Sequence, residues 1–201
     1  MNRAHDETSE ALLAAAHRLL SSEGPDALTV RRIAAEAGMS TMNVYSRFGG
    51  KDGVIDELYL YGFRKLFDRI DGVPETSDMV DDLLHVAIAY RAFATEYPMY
   101  YEIMFRSANP SEASTDEALS GLSNLVARIE RGAQRGNLVL PEGLDALATT
   151  AWLWGTCHGL VSLELDGVAE EALTWSDIYP SALRVALTGL QPASISSSAR
   201  G

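Results

Sequence analysis

The side chains best suited to chemistry crowd into the 23 residues from Thr29 to Lys51. Ser40, Thr41, Asn43, Tyr45, Ser46 and Arg47 offer hydroxyls, an amide, a phenol and a guanidinium. Arg31, Arg32 and Lys51 flank them with positive charge. Groups of these types are suited to hydrogen bonds with base edges and phosphates. They do not assemble a nucleophile with its base. The four histidines, His5, His17, His85 and His158, are scattered without metal-ligand spacing, and no glycine-rich phosphate loop occurs. The chain reads as a binder, with no catalytic residues, metal or cofactor expected.

Such a polar face needs a small rigid support, and the same stretch specifies one. Thr29 is the N-cap of a short helix ending near Gly38, and Ser40 the N-cap of a second running to about Arg47. Ala34 and Ala35 are small enough for the second helix to cross the first steeply. Gly38 supplies the positive φ of the turn. Val44, with Ile33 and Phe48, makes a core beneath the polar face. Residues 40–47 span roughly 12 Å at 1.5 Å each, comparable to a DNA major groove. A purely structural helical hairpin with a solvated face is the alternative.

The run from Thr29 to Lys51 resembles the signature of the TetR family of bacterial repressors. Thr29, Ile33-Ala34, Ala37-Gly38, Ser40, Tyr45, Phe48 and Lys51 carry the likeness, in register and without a gap. Met42 departs from it, standing where a small residue or proline is usual. The resemblance implies that Thr29 caps its helix and touches a phosphate, and that Arg31 and Arg32 lie on the DNA side, Arg31 reaching a base edge. It places Ser40, Thr41 and Met42 at the start of the recognition helix, where Thr41 and Met42 meet base edges or thymine methyls. Asn43, Tyr45 and Arg47 are implied to contact backbone or bases, and Lys51 a phosphate beside a helix N-terminus. The implied partners are a palindromic double-stranded operator, a small-molecule effector and a second copy of the chain.

The rest of the chain is periodic at helical spacing, giving an all-α fold of about nine helices. Helices are expected near 6–22, 29–38, 40–47, 51–71, 76–96, 98–107, 114–135, 142–166 and 174–189. Residues 1–50 form the helix-turn-helix domain, 51–190 an effector-binding and dimerisation domain, and 191–201 a Ser/Ala-rich disordered tail. Phe63, Tyr90, Phe93, Tyr97, Tyr101, Met104, Leu125, Trp152 and His158 are candidates to line an apolar effector pocket, and a filled core is the alternative for each. Arg91, Arg128 or Glu102 are candidates for its polar end, with a solvated surface charge the simpler reading of each. The segments around 96–105 and 152–160 add to the likeness, the second through its Trp and His-Gly. Ala151, Gly155, Gly159 and Ser162 make a stripe of small residues that lowers helix propensity. Close approach of another helix explains it. Ile178, Ala182, Val185 and Ala186 supply an apolar face on the last helix. In the family these two helices form a four-helix bundle across a two-fold axis, which implies a homodimer.

The net charge of −12 at first argues against nucleic acid. Its distribution reverses that impression. Residues 1–65 hold eight Lys/Arg and nine Asp/Glu, a net of −1; the remainder holds eight against nineteen, a net of −11. The acidity belongs to the C-terminal two-thirds. The single cysteine, Cys157, forms no internal disulfide, and it reads as a small buried hydrophobe or, alternatively, a redox trigger. No apolar run approaches the roughly 18 residues of a membrane span, so a cytoplasmic location is expected. The function these features support is a DNA-binding repressor released by a small, largely apolar effector. An all-helical ligand-binding protein or enzyme without operator binding is the alternative.

Overall fold

A computed structural model describes residues 6–107 and 110–192, so most of the expected tail at 191–201 lies outside the described residues. Every regular element among the described residues is helical: α1 (Glu7–Glu23), α2 (Val30–Glu36), α3 (Thr41–Phe48), α4 (Lys51–Asp71), α5 (Met79–Glu96), α6 (Pro98–Glu102), α7 (Glu112–Ser120), α8 (Ser123–Gln134), α9 (Ala146–Leu165) and α10 (Trp175–Thr188). The all-α expectation is met. The contacts divide the chain into two compact units: Met1–Asp68 with Phe93–Gly121, and Arg69–Ala92 with Leu122–Gly201.

In the first unit, α1 starts where the Asp6 carboxylate accepts from the Ser9 amide at 2.8 Å. Leu12, Ala15, Ala16, Leu19 and Leu20 form its buried stripe. They pack with Ile33 and Ala34 of α2, Val44 and Phe48 of α3, and Val54 and Leu58 of α4, all buried. Each large aliphatic side chain in this core contributes about 1.5–3 kcal/mol by leaving water. The α1 chain stops at Gly24, whose φ is +81°, while its amide donates back to the Leu20 carbonyl.

In the second unit, α8, α9 and α10 pack with the first part of α5. Leu83, Leu84 and Ala87 meet a core that includes Ile129, Leu153, Val161, Tyr179 and Leu183. The buried Tyr179 hydroxyl donates to the Ala87 carbonyl at 2.9 Å, which satisfies a group that would be costly to bury alone. One face of α8 holds the turn after α4. Asn124 donates to Asp71, Arg128 to the carbonyls of Val73 and Pro74, and Arg131 to Glu75.

Three elements differ from the sequence expectation. The helix expected at 114–135 is two helices, broken at Gly121-Leu122. A Cβ on Gly121 would lie 2.2 Å from the Phe67 ring, so the break falls at a position that glycine fits. The helix expected from 98 to 107 changes at Ile103 into a π turn through Ser107. The helix expected from 142 starts only at Ala146, because Asp145 caps it by accepting from the Ala148 amide at 2.7 Å.

Candidate nucleic-acid interface and interior clusters

The turn between α2 and α3 has the geometry its residues imply. Thr29 Oγ accepts from the Arg32 amide at 3.3 Å. Gly38 has φ of +67°, and the Met39 amide closes the turn on the Ala34 carbonyl at 2.8 Å. Ser40 occupies the cap position of α3 without a capping bond from its side chain; its hydroxyl instead accepts from Asn43 Nδ2 at 3.4 Å. Gly49, at φ +74°, ends α3 with its amide on the Tyr45 carbonyl.

This frame turns Val44 and Phe48 inward and leaves Thr41, Met42, Tyr45 and Ser46 on the outer side. Met42 is 70% exposed and Tyr45 54%, values that a folded chain tolerates but does not seek for large apolar groups. Arg31 and Lys51 are exposed and form no ion pair among the described residues. The other cations near this face are engaged. Arg18 pairs with Glu36 at 2.7 Å, Arg32 with Glu23 at 2.5 Å and Arg47 with Asp6 at 2.7 Å. The guanidinium beside Asp6, with the Ser9 amide, holds that carboxyl down at about 2. Sequence reasoning treated Asp6 only as a helix boundary, although an acid at an N-cap is also a ready partner for a cation.

The aromatic residues expected around an effector fall into separate clusters. In the first unit, Phe63, Phe93, Tyr101 and Met104 are buried and Tyr97 is half-buried. The Phe63 ring lies 5.9 Å from Phe67 and 5.5 Å from Phe105, and Tyr101 lies 4.8 Å from Phe105. Met104 fills the space above Gly62, where a Cβ would come within 2.6 Å of its sulfur. Lys65 Nζ sits 4.1 Å over the Tyr97 ring. Phe63 also lines a notch of 250 Å³ with Leu60, Arg64, Phe67 and Ala118.

In the second unit, the Tyr90 hydroxyl and His158 Nδ1 are 3.0 Å apart, and Trp154 Nε1 donates to the same hydroxyl at 3.4 Å. Trp152, the tryptophan expected at the pocket, is 38% exposed, and its neighbour Trp154 takes the interior place. The spacing of Trp154 and His158, four apart on one helix face, was the available signal. Leu125 lines a cleft of 420 Å³ with Ile70, Asp71, Arg128 and Arg131. Of the polar candidates, Arg91 is bound to Glu164, Arg128 is nearly buried against backbone carbonyls, and Glu102 lies 4.0 Å from Arg106. Burial pushes the Cys157 thiol up to about 11, so at neutral pH it is the unreactive protonated form.

On α9, Ala151, Gly155 and Gly159 are exposed and Ser162 is half-buried, and a Cβ on either glycine would meet nothing within 4 Å. Leu147 and Leu163, four residues before Ala151 and four after Gly159, are exposed too. On α10, Val185 is 77% exposed, while Ile178, Ala182 and Ala186 are half-buried. No helix among the described residues is long and apolar enough to cross a membrane.

These features coincide with two family models. Residues 12–58 match the bacterial regulatory proteins of the tetR family, and residues 83–180 match a tetracyclin-repressor-like C-terminal domain. An uncharacterized HTH-type transcriptional regulator of Bacillus subtilis, YdeS, is 36% identical over 94 residues. That stretch is 46% of each protein, so the chain matches about half the length of this curated relative. Among solved structures, a Rhodococcus protein of unknown function superposes with a TM-score of 0.79 at 21% identity, over 95% of this chain and 99% of that one. A TetR family transcription regulator from Marinobacter aquaeolei gives 0.67 at 21%, over 96% and 100%. The regulator FadR from Bacillus subtilis, solved in complex with stearoyl-CoA, gives 0.70 at 19%, over 90% and 98%. At these identities the solved structures attest the fold.

Proposed function

Because the chain belongs to the TetR family of bacterial regulatory proteins, we propose that it is a homodimeric repressor which holds a palindromic operator and releases it when a small, largely apolar effector binds. The observation that carries this reading is the outer face of α3. Met42 and Tyr45 stand 70% and 54% exposed there, on a helix whose other side is locked into the core by Val44 and Phe48. A large thioether and a phenol on such a face suit contact with thymine methyls and groove edges.

In this reading residues 1–50 form the DNA-binding domain, and Thr29, Arg31, Arg32, Ser40, Thr41, Met42, Asn43, Tyr45 and Lys51 face the duplex. Arg31, for which the resemblance implied a base edge, and Lys51 are both exposed and without ion pairs among the described residues, and in this reading both neutralise phosphate. Residues 51–190 bind the effector and the partner copy. The exposed row Leu147, Ala151, Gly155, Gly159 and Leu163, with Val185, supports dimerisation through α9 and α10. A dimer places two recognition helices about 34 Å apart, one turn of DNA, which lets two short helices specify a site that one cannot.

The interior aromatic groups, with the fatty acyl-CoA bound by the structural neighbour FadR, support an apolar effector met by Phe63, Phe93, Tyr101 and Met104 or by Tyr90, Trp154 and His158. The protein acts in the cytoplasm, where its operator is. A gel shift on the intergenic DNA upstream of its own gene, with salt titrated, tests the reading. A discrete complex at modest salt supports it, and only a diffuse, salt-labile smear favours a ligand-binding protein without an operator.

A further inference from the structure

The first turn of α1 and the last turn of α3 are welded by four side chains. Arg47 Nε and Nη2 donate to the two oxygens of Asp6 at 3.1 and 2.7 Å. The Arg47 Nη1 reaches Ser46 Oγ at 3.2 Å. Asp6 is itself fixed, since its Oδ1 accepts from the Ser9 amide at 2.8 Å and from the Ser9 hydroxyl at 2.9 Å. All three guanidinium nitrogens are therefore engaged within the protein. The Arg47 side chain is 28% exposed, against 57% for Arg18 and 44% for Arg32 in their pairs.

A bidentate arginine–carboxylate pair fixes orientation as well as distance. Here that matters because α3 is only eight residues long and is anchored in the core on one side, by Val44 and Phe48. Those two residues hold α3 against the core from one face. The clamp on Arg47, beside Phe48, adds a second attachment, to the start of α1, and so bears on the directions of Thr41, Met42 and Tyr45.

We propose that Arg47 is a positioning residue rather than a DNA contact, and that Asp6 and Arg47 together set the angle at which α3 enters the groove. The inference rests on reading α3 as the DNA-recognition helix. It assigns the phosphate contacts to Arg31 and Lys51 and gives the N-terminus of α1 a part in specificity.

The test uses the full chain and the duplex that the wild-type protein selects from a random pool; failure to select any duplex would overturn the DNA reading itself and the clamp with it. Asp6→Ser keeps a capping oxygen for the Ser9 amide but is too short to hold the guanidinium. The clamp predicts that Asp6→Ser and Arg47→Gln each weaken binding to that duplex by roughly fivefold or more. It further predicts that the double variant is no worse than the weaker single one, as expected for residues acting as one unit. The slope of log affinity against log salt stays at the wild-type value throughout. If Arg47 instead touches phosphate, Arg47→Gln flattens that slope by about 0.9 for each phosphate it no longer neutralises. Asp6→Ser then tightens binding by removing a competing negative charge. Either of those results overturns the proposal.

Discussion

Arg91 of α5 and Glu164 of α9 meet in two parallel hydrogen bonds, Nε to Oε2 at 2.7 Å and Nη2 to Oε1 at 2.5 Å. The pair lies within one compact unit, with 25% of the Arg91 side chain and 15% of Glu164 exposed. Arg91 also lies 5.7 Å from the centre of the Tyr179 ring. Charges this far removed from water are held by each other, so deleting one strands its partner. Arg91→Met should cost about 2 kcal/mol, less than a fully buried pair because water still reaches the guanidinium. For a chain of this size that lowers the melting temperature by roughly 4–8 °C. An unchanged thermal midpoint by circular dichroism would show the pair to be incidental.

Gly155 is where the proposed dimerisation can be tested apart from folding. Its Cβ position is open within the chain, and glutamate favours a helix more than glycine does. Gly155→Glu should leave the helical spectrum and melting behaviour of the isolated chain intact. In the dimer it places two carboxylates in a close helix contact. Sedimentation should then report a monomer for the variant and a dimer for the wild type. A variant that stays dimeric would move the interface away from α9.

His17 makes stability depend on pH. Its ring lies 4.5 Å from Tyr61, and its Nδ1 shares a hydrogen bond with the Tyr100 hydroxyl. Burial holds the imidazole below its ordinary value, because desolvation penalises the charged ring. As pH falls through about 6.5, the unfolded chain takes up this proton before the folded one does. The contribution of His17 is therefore full above that pH and is lost as pH falls toward the folded value. The wild type should lose more thermal stability than His17→Gln between about pH 7.5 and 5.5. Parallel curves for the two proteins would count against it.

Arg31 and Lys51 should control the salt dependence of DNA binding. Removing one phosphate-binding cation flattens the log–log slope by about 0.9, hence about 1.8 in a symmetric dimer. Arg31→Ala and Lys51→Ala should each show this in fluorescence anisotropy. Arg18→Ala, whose cation is paired with Glu36, should leave the slope unchanged. A flattening for Arg18→Ala but not for the other two would reassign the phosphate contacts.

What could be read from the sequence was local. Thr29, Gly38, Val44 and Phe48 stand within 20 residues of sequence, and each answers a backbone or burial requirement that the chain states at short range. The space at Gly121 is set by Phe67, 54 residues away, and periodicity does not register such a contact. The same limit explains the tryptophans. Trp152 and Trp154 are nearly equivalent in composition, and only the position of Tyr90 on another helix selects Trp154. Arg47 looked like part of an outward polar face because its partner, Asp6, lies 41 residues away.

The central claim, that two copies of α3 read one duplex, is tested most directly by sequencing the DNA that the full-length protein retains from a random pool. The account predicts an enriched palindrome whose half-sites are centred about one helical turn, or a small multiple of it, apart. Recovered sequences with no enrichment, or with a single half-site lacking a dyad, would contradict it.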